Sequence, residues 1–248
     1  MKTQLIQRPL YIEFLTTWKN EDVIKVVSGV RRCGKSTLFE MFRNQLTTEG
    51  VQAEQIININ FEEFDHLYLC DPTVLYNYIK EKIQPGQQYY IFLDEIQNVR
   101  DFERVVNSLY LNKNLDIYIT GSNAYFMSGE LATFLSGRYV ELKMLPLSFQ
   151  EFVSTKDADK SNLKRYYNEY LQTSFPYAIS LDATKKQQYL EGIYSTVVLK
   201  DIVQRLTVTD VSTLENIIRY LYSEIGSFQN INKITNTMNS FGNKITHK

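Results

Sequence analysis

The sequence predicts an α/β fold in which a five-stranded parallel sheet carries helices on both faces and a helical region follows. Two observations support this prediction. Up to Leu145, short runs rich in β-branched and aromatic residues alternate with helical periods, an order typical of a parallel sheet. After Pro146 the strand-like runs stop and helical periods dominate to the end of the chain. We therefore expect a domain boundary between residues 147 and 155.

The first strand is predicted at residues 23–30, where a mostly β-branched run reaches a glycine. The other strands are expected at residues 56–61, 89–93, 116–120 and 139–145. A helix is predicted from the apolar period formed by Phe102, Val105, Val106, Leu109 and Tyr110. Another is predicted to start at Asp71-Pro72, an N-cap residue followed by proline. Apolar stripes within residues 190–198 and 214–222 predict two later helices.

Composition excludes several classes of protein. Among 248 residues, 27 Lys and Arg nearly balance 28 Asp and Glu, so no overall positive field attracts nucleic acid or a membrane surface. No apolar run approaches the roughly 20 residues needed to cross a bilayer. The two cysteines, Cys33 and Cys70, are too few for a disulfide framework, and the first residues lack a secretory signal. We expect a cytoplasmic protein with no membrane partner.

Residues 29–36, Gly-Val-Arg-Arg-Cys-Gly-Lys-Ser, fit the pattern G-x-x-x-x-G-K-S/T between a predicted strand and a predicted helix. The glycines allow backbone N–H groups to surround a phosphate, and the helix N-terminus adds the positive end of its dipole. Lys35 is expected to reach the β and γ oxygens of a nucleoside triphosphate, and Ser36 to ligate Mg²⁺. The predicted nucleotide-binding residues are Gly29, Arg31, Arg32, Cys33, Gly34, Lys35, Ser36 and Thr37.

Two adjacent acids, Asp94 and Glu95, follow the apolar run at residues 89–93. Asp94 is expected to hold Mg²⁺, and Glu95 to polarise the attacking water as a base. The strand predicted at residues 56–61 lies in the chain between the phosphate loop and these acids. This arrangement is that of the additional-strand division of P-loop proteins, and it disfavours nucleotide kinases and GTPases.

Polar residues follow the strand at 116–120, and either Asn123 or Ser122 is expected to contact the water or the γ-phosphate, with Asn123 preferred. Arg138 precedes the fifth strand, where a guanidinium can reach a phosphate in its own chain or across a subunit boundary. That second geometry leaves a homo-oligomer open. The predicted catalytic residues are therefore Glu95, Lys35, Arg138 and Asn123.

Together these motifs resemble a bacterial and archaeal family of AAA-type ATP-binding proteins, grouped near the STAND and MNS-class NTPases. The matching segments are Arg8-Pro9-Leu10-Tyr11, residues 29–37, Leu93-Asp94-Glu95-Ile96-Gln97, residues 120–123, residues 136–139 and residues 145–152. The resemblance implies that Lys35, Ser36 and Asp94 bind Mg-ATP and that Glu95 assists hydrolysis. It also implies that Arg138 occupies the arginine-finger position.

The resemblance further implies three parts: an AAA-like P-loop ATPase domain at residues 1–153, a helical lid at 154–206 and a partial helix-turn-helix at 207–248. The last part is an incomplete winged helix, since the chain stops before a recognition helix and wing. Family members typically continue with a nuclease-like domain, so we expect this chain to be truncated at its C-terminal end.

The expected function is the binding of Mg-ATP and its slow hydrolysis, which drives a conformational switch between the ATPase domain and the helical lid. The alternative is an interaction module that binds ATP without hydrolysing it. Such a module would contact DNA or protein through its C-terminal helices, and residues 227–248 are the segment expected to contact DNA.

Overall fold

The computed structural model describes residues 5–122, 135, 137–156, 162–197, 202–203, 208–242 and 245. The chain divides into two compact units, Met1–Ile193 and Tyr194–Lys248, and each is described by itself. The three-part division predicted from the sequence, with boundaries at residues 153 and 206, stays a prediction.

The first unit contains a five-stranded sheet. In chain order, its strands are β1 (Ile24–Gly29), β2 (Ile56–Asn60), β3 (Tyr89–Asp94), β4 (Leu115–Gly121) and β5 (Tyr139–Met144). They lie side by side in the order β2-β3-β4-β1-β5, and every neighbouring pair is parallel. The predicted fold class is therefore confirmed. Because the strands are parallel, the ends of β1, β3 and β4 meet at one edge of the sheet, where ligands bind in open α/β folds.

Helices connect and follow these strands. The described helices are α1 (Pro9–Thr17), α2 (Lys35–Thr48), α3 (Pro72–Lys82), α4 (Phe102–Tyr110), α5 (Phe149–Ser154), α6 (Leu163–Gln172), α7 (Ala183–Thr196), α8 (Val211–Ser223) and α9 (Ile231–Ser240). Short 3₁₀ turns lie at Ala53–Gln55, Phe64–Cys70, Ile96–Asn98 and Ala178–Ser180. The helix predicted at Asp71-Pro72 forms as expected, because Asp71 Oδ1 accepts hydrogen bonds from the N–H groups of Thr73 and Val74 at 2.9 and 3.1 Å.

Buried side chains cover both faces of the sheet. On one face, α3 and α4 pack through Leu75, Ile79 and Leu109 against residues such as Ile91 and Ile117. This arrangement explains why α4 shows the helical apolar period seen in the sequence. Helices therefore lie on both faces of the sheet, since α2 packs on the other face.

Aromatic rings fix α2 on that second face. The rings of Phe92 in β3 and Tyr118 in β4 stack with centroids 4.8 Å apart. Phe39 of α2 meets Phe92 edge-on at 5.1 Å, and Phe42 lies 5.3 Å from Tyr118. Aromatic pairs in these geometries add to the free energy gained from burial. They hold α2 over the centre of the sheet and so place its N-terminus at the edge where the strands end.

A buried ion pair joins β1 and β4 near the starts of these strands. Lys25 Nζ lies 2.6 Å from Asp116 Oδ1, and both residues are almost completely buried. Asp116 Oδ2 accepts hydrogen bonds from the Asn20 backbone N–H and the Tyr118 hydroxyl, each at 2.8 Å. Burial, together with the nearby Asp116 carboxylate, holds the pKa of Tyr118 far above its usual range. Since a buried charge is costly without partners, this network favours one register of β1 against β4.

The described part of the second unit is helical, as the sequence predicts. Helices α8 and α9 contact each other. Their N-caps are Asp210 and Asn230, whose side chains accept backbone hydrogen bonds from the first turn of each helix. Lys233 Nζ of α9 lies 3.2 Å from Glu224 Oε2, next to the end of α8. The partial helix-turn-helix assigned to this region stays a prediction. Within the described ranges, no helix combines the length and apolar character required to cross a bilayer.

Candidate functional site

The loop between β1 and α2 depends on two glycines. A Cβ atom added to Gly29 would lie 2.2 Å from the backbone oxygen of Met144 in β5, which is too close for any side chain. Gly34 is the N-cap of α2 and has a φ of 105°, in the left-handed region that favours glycine. These two backbone requirements explain the glycine positions of the motif, and they place the loop where β1 ends.

Lys35 begins α2, and its side chain folds back over this loop. Its Nζ donates hydrogen bonds to the backbone oxygens of Gly29 at 3.1 Å and Val30 at 3.4 Å. The same atom lies 3.4 Å from Glu95 Oε1. Only 4% of the lysine surface is exposed. A buried ammonium at a helix N-terminus adds to the positive end of the helix dipole, so this region of the site suits an anion.

The other predicted binding residues of the loop differ in their surroundings. Arg31 Nη1 lies 3.2 Å from Glu62 Oε1. Arg32 is exposed and has a φ of 65°, so its backbone is in the left-handed region. Cys33 is completely buried, and burial, opposed by the charges of Lys35 and Arg8, raises the pKa of its thiol. Cys33 therefore stays protonated and fills space beneath the loop.

Asp94, the last residue of β3, is a buried carboxylate held by two hydroxyl groups. The Thr120 hydroxyl donates a hydrogen bond to Asp94 Oδ1, and the Ser36 side chain is hydrogen-bonded to the same carboxylate. Burial raises the pKa of Asp94 above its usual value, and these hydrogen bonds oppose the shift. A carboxylate side by side with a hydroxyl at the loop is the kind of oxygen pair that binds Mg²⁺ together with phosphate and water.

The predicted metal ligands Ser36 and Asp94 therefore fit a magnesium ion that is shared with a phosphate. Mg²⁺ in nucleotide sites takes only one or two protein ligands and fills its remaining positions with phosphate oxygens and water. A site built wholly from protein side chains is a different case. Among the described residues, no group of three or more His, Cys, Asp or Glu side chains is arranged to hold a metal.

Glu95 follows Asp94 in a left-handed conformation, with a φ of 55°. Its backbone N–H donates to Thr120 Oγ1 at 2.9 Å. Its side-chain Oε2 accepts hydrogen bonds from Ser122 at 2.6 Å and Gln97 at 2.5 Å. Burial alone would raise the pKa of Glu95, but the Lys35 charge and these hydrogen bonds outweigh it and hold the pKa below its usual value. Glu95 is therefore ionised at neutral pH and is an acceptor only.

The structure brings together some of the predicted catalytic residues. Lys35 and Glu95 are in contact, and Ser122, the alternative to Asn123, donates to Glu95. Asn123 lies outside the described residues. Arg138 precedes β5, and its guanidinium lies 5.6 Å from the centre of the Tyr110 ring. Because β5 runs parallel to β1, Arg138 is at the opposite edge of the sheet from its own phosphate loop.

Sequence reasoning missed two residues that contact the acids. Thr120 bridges Asp94 and Glu95, and Gln97 donates to Glu95. Gln97 Oε1 is buried and has no hydrogen-bond partner among the described residues. Both residues belong to segments that carry the family resemblance. Thr120 lies at the end of a strand, and Gln97 follows the paired acids. A polar side chain at the end of a buried strand is the signal that could have identified Thr120.

A cavity of about 200 Å³ opens beside the loop. Its walls come from the N-terminal segment, the loop, α2, the end of β5 and the segment after α6, and they include Ile6, Thr37, Met41, Met144, Pro176 and Tyr177. Pockets lined mainly by apolar side chains next to a few polar groups suit small organic ligands.

The strand order, the loop after β1 and the acids after β3 define a P-loop NTPase. Residues 21–153 match the family model described as the AAA domain, and the chain belongs to this family. The resemblance predicted from the motifs is thus confirmed. Membership of the AAA domain family, together with the P-loop fold, indicates nucleotide binding.

Two longer relatives and one solved structure are similar to this chain. An uncharacterized protein of Haemophilus influenzae is 41% identical over 244 residues, which cover 97% of this chain and 61% of the relative. An uncharacterized protein of Methanocaldococcus jannaschii is 28% identical over 267 residues, which cover 100% of this chain and 56% of the relative. The chain thus spans less than two thirds of each relative. The Walker-type ATPase PABY2304 of Pyrococcus abyssi has a TM-score of 0.63 at 15% identity, covering 99% of this chain and 87% of that one, and so shows the same fold.

Proposed function

We propose that the protein binds Mg-ATP at the phosphate loop and hydrolyses it slowly, and that this reaction moves the helical lid relative to the sheet. The observation that carries the proposal is the grouping of Lys35, Ser36, Asp94 and Glu95 at one edge of the sheet. An ammonium, a hydroxyl and two carboxylates there match the needs of phosphoryl transfer to water.

Binding of the triphosphate uses the loop backbone and Lys35. Backbone N–H groups of residues 30–36 and the N-terminus of α2 attract the phosphate oxygens. Lys35 exchanges its contacts with the Gly29 and Val30 carbonyls for contacts with phosphate oxygens. Ser36 and Asp94 hold Mg²⁺, which when bound supplies positive charge against the phosphate oxygens.

Hydrolysis depends on Glu95. Water attacks the γ-phosphorus, the bond from the γ-phosphorus to the bridging oxygen breaks, and ADP leaves with that oxygen. Glu95 orients the water and accepts its proton on a carboxylate oxygen. This carboxylate is held by Lys35, Ser122 and Gln97, and its pKa is lowered. A base so engaged is weak, which supports slow turnover.

The preference for adenine, which the resemblance to AAA-type ATP-binding proteins implies, is part of the proposal, and the cavity beside the loop offers a place for the base. The cavity beside the loop has a volume of about 200 Å³ and is walled mainly by apolar side chains. It lies next to Gly34 and Thr37, so a base attached to a triphosphate in the loop reaches it. A competition between ATP, GTP and CTP for the same site tests this preference directly.

Calorimetric titration of the purified protein with Mg-ATP tests nucleotide binding. Lys35→Ala is expected to abolish the binding heat, whereas Lys164→Ala, a change at an exposed lysine in α6, leaves it unchanged. Phosphate release is then measured with ATP, GTP and CTP. If no nucleoside triphosphate produces heat, or if Lys35→Ala binds normally, the assignment of this site is wrong.

Arg138 is proposed to act across a subunit boundary in a homo-oligomer. Its place at the opposite edge of the sheet from its own loop supports this geometry over action within one chain. Mixing Arg138→Ala subunits with Lys35→Ala subunits should restore phosphate release, because some sites then combine an intact lysine with an intact partner arginine. Full activity of Arg138→Ala alone, or no restoration in the mixture, contradicts the assignment.

The second candidate function is a module that binds ATP without hydrolysis and contacts DNA or protein through its C-terminal helices. It is favoured by the exposure of Ile225, Phe228 and Ile231, at 77%, 102% and 69%, because exposed apolar side chains mark interaction surfaces. ATP binding without any phosphate release from the unmutated protein would support this function. DNA contact predicts affinity that falls as salt rises, so salt-independent binding would exclude DNA.

A further inference from the structure

Arg8 is a buried cation next to the phosphate loop. Only 3% of its surface is exposed, and each of its three side-chain nitrogens donates a hydrogen bond. Nε donates to Glu151 Oε1 at 2.6 Å, Nη1 to the Cys33 oxygen at 3.3 Å and Nη2 to the Leu145 oxygen at 3.0 Å. The guanidinium also lies 4.5 Å from the centre of the Tyr11 ring. These contacts fix the guanidinium beside the phosphate loop, where Arg8 is also one of the residues that line the cavity.

The partners of Arg8 come from separate segments of the chain. Cys33 belongs to the phosphate loop, Leu145 follows β5, and Glu151 lies in the first turn of α5. The Leu145 N–H also donates to the Tyr11 hydroxyl at 3.3 Å. One arginine thus ties the segment before α1 to the loop, the end of β5 and a helix. A planar guanidinium spreads its donors over three nitrogens and so reaches acceptors that lie apart, whereas a lysine carries all its donors on one atom.

Glu151 is fixed from its other side. Its Oε2 accepts the Ser148 backbone N–H at 2.8 Å, and the Ser148 hydroxyl accepts the Glu151 N–H at 3.2 Å. This reciprocal pair is a capping box, which sets the start of α5. The carboxylate therefore links the orientation of α5 to Arg8. The sequence assigns no chemical role to either of the two motifs that contain Arg8 and Glu151, and this ion pair connects them.

A further hydrogen bond connects the segment that Arg8 contacts to other residues that line the cavity. The Leu147 N–H donates to the Ser174 oxygen at 2.8 Å, and Leu147 comes two residues after a carbonyl that Arg8 holds. Pro176 and Tyr177, just beyond Ser174, line the same cavity as Gly34 of the loop, and a Cβ built on Gly34 would lie 3.9 Å from Pro176 Cγ. The hydrogen bonds of Arg8, the backbone of residues 145–147 and the Leu147–Ser174 hydrogen bond therefore join the phosphate loop to the segment at residues 174–177.

We propose that Arg8 and Glu151 are positioning residues that hold the phosphate loop at a set distance from residues 174–177. They thereby raise the affinity for nucleotide and transmit its binding to the helical segment after the sheet. This inference rests on the proposed binding of ATP. The Arg8–Glu151 pair would then link the phosphate loop to residues 174–177. It is separate from the paired acids and from the arginine before β5.

Two variants and a matched control test the inference. Arg8→Lys keeps the charge but loses the bridging geometry, and Glu151→Gln removes the ion pair while keeping the side-chain shape. Arg165→Lys is the control, because Arg165 forms an exposed pair with Glu169 at 3.0 Å. Affinity for ATP, kcat and KM are measured for each. Both test variants should raise KM about tenfold, because each loses a charge-assisted contact that orders the site. We expect kcat to stay nearly constant.

Hydrogen exchange separates this role from a general loss of stability. In the unmutated protein, Mg-ATP should slow amide exchange both in residues 29–36 and in residues 174–177. In the two variants the loop should still be protected, while the response at residues 174–177 is lost. Without nucleotide, the Leu147 amide should exchange faster in both variants than in the unmutated protein and in the control.

The outcomes distinguish the two proposals. No ATP protection of residues 29–36 in the unmutated protein would overturn the proposed function. Loop protection with an unchanged response at 174–177 and an unchanged Leu147 amide in both variants would overturn the positioning role. If Arg8→Lys does not fold, as judged by circular dichroism, Glu151→Gln decides the test because it leaves the arginine and its carbonyl contacts in place.

Discussion

Lys35 Nζ lies 3.4 Å from Glu95 Oε1, so the two side chains that the proposed hydrolysis needs are paired with each other. The pair is almost completely buried, and the lysine charge is a main reason that the pKa of Glu95 is lowered. In the proposed mechanism, a bound triphosphate draws the ammonium toward its own oxygens before Glu95 acts on water, so that binding and the release of the base are linked.

Replacement of Glu95 by glutamine should separate binding from hydrolysis. Glu95→Gln keeps the side-chain size but removes the proton acceptor, so phosphate release should fall by about 100-fold or more. Affinity for ATP should be retained or increase, because Lys35 no longer leaves a carboxylate to meet the phosphate. Phosphate release and calorimetric titration measure the two effects, and Glu81→Gln, at an exposed position in α3, is the control. Unchanged phosphate release would show that Glu95 is not the base.

Removing the charge of Asp94 should increase the free energy of unfolding by an amount that depends on pH. Burial raises its pKa in the folded protein, so the ionised carboxylate destabilises the fold at neutral pH. Without nucleotide, Asp94→Asn should therefore raise the free energy of unfolding at pH 7. This gain should shrink as the pH falls from the raised pKa of Asp94 in the folded protein to the ordinary pKa of aspartate. Over that range Asp94 of the unmutated protein takes up a proton and loses its charge, so the two proteins become alike.

Urea unfolding at a series of pH values measures this difference. In the presence of Mg-ATP the unmutated protein should become the more stable of the two. Its Asp94 carboxylate holds the metal, and the variant lacks that carboxylate. A variant that is less stable than the unmutated protein at pH 7 without nucleotide would contradict the argument. Equal stabilisation of both proteins by Mg-ATP would show that Asp94 does not hold the metal.

Local patterns in the sequence predicted the parts of the fold that depend on neighbouring residues. The five strands, the helix that starts at Pro72 and the apolar face of α4 each follow from periods or caps within a few residues. The Gly29 and Gly34 positions were found through a motif, and the structure supplies their reason in a close approach to Met144 and a left-handed N-cap.

Contacts between distant parts of the chain could not be predicted in the same way. Arg8 and Glu151 are 143 residues apart, and no local pattern connects two such charges. The walls of the cavity likewise come from several segments that only the fold brings together. Arg138 is expected near a phosphate, but in a parallel sheet a residue that precedes β5 lies at the opposite edge from the loop that follows β1.

The hydroxyl group of Thr120 should contribute to the stability of the fold. The Oγ1 atom donates to Asp94 and accepts the Glu95 N–H at 2.9 Å, and all of these groups are buried. Thr120→Val replaces the hydroxyl by a methyl group of similar size and leaves that N–H unpaired. The free energy of unfolding should fall by about 1–3 kcal/mol. Thr120→Ser, which keeps the hydroxyl, should be closer to the unmutated protein in urea unfolding, and equal loss in both variants would contradict this role.

Gly29 and Gly50 offer a matched comparison of two glycines with different surroundings. A Cβ at Gly29 would lie 2.2 Å from the Met144 oxygen and 3.2 Å from Cys33 Sγ, whereas a Cβ at Gly50 would meet no heavy atom within 4 Å. Gly50→Ala should cost only the strain of its left-handed backbone, about 1–2 kcal/mol. Gly29→Ala should cost about 4 kcal/mol or more, since the backbone of β5 must move away from the loop. Thermal and urea unfolding of the two variants measure this difference. Equal losses would mean that β5 can shift freely, and the close approach of β5 to Gly29 would then not be what positions the phosphate loop.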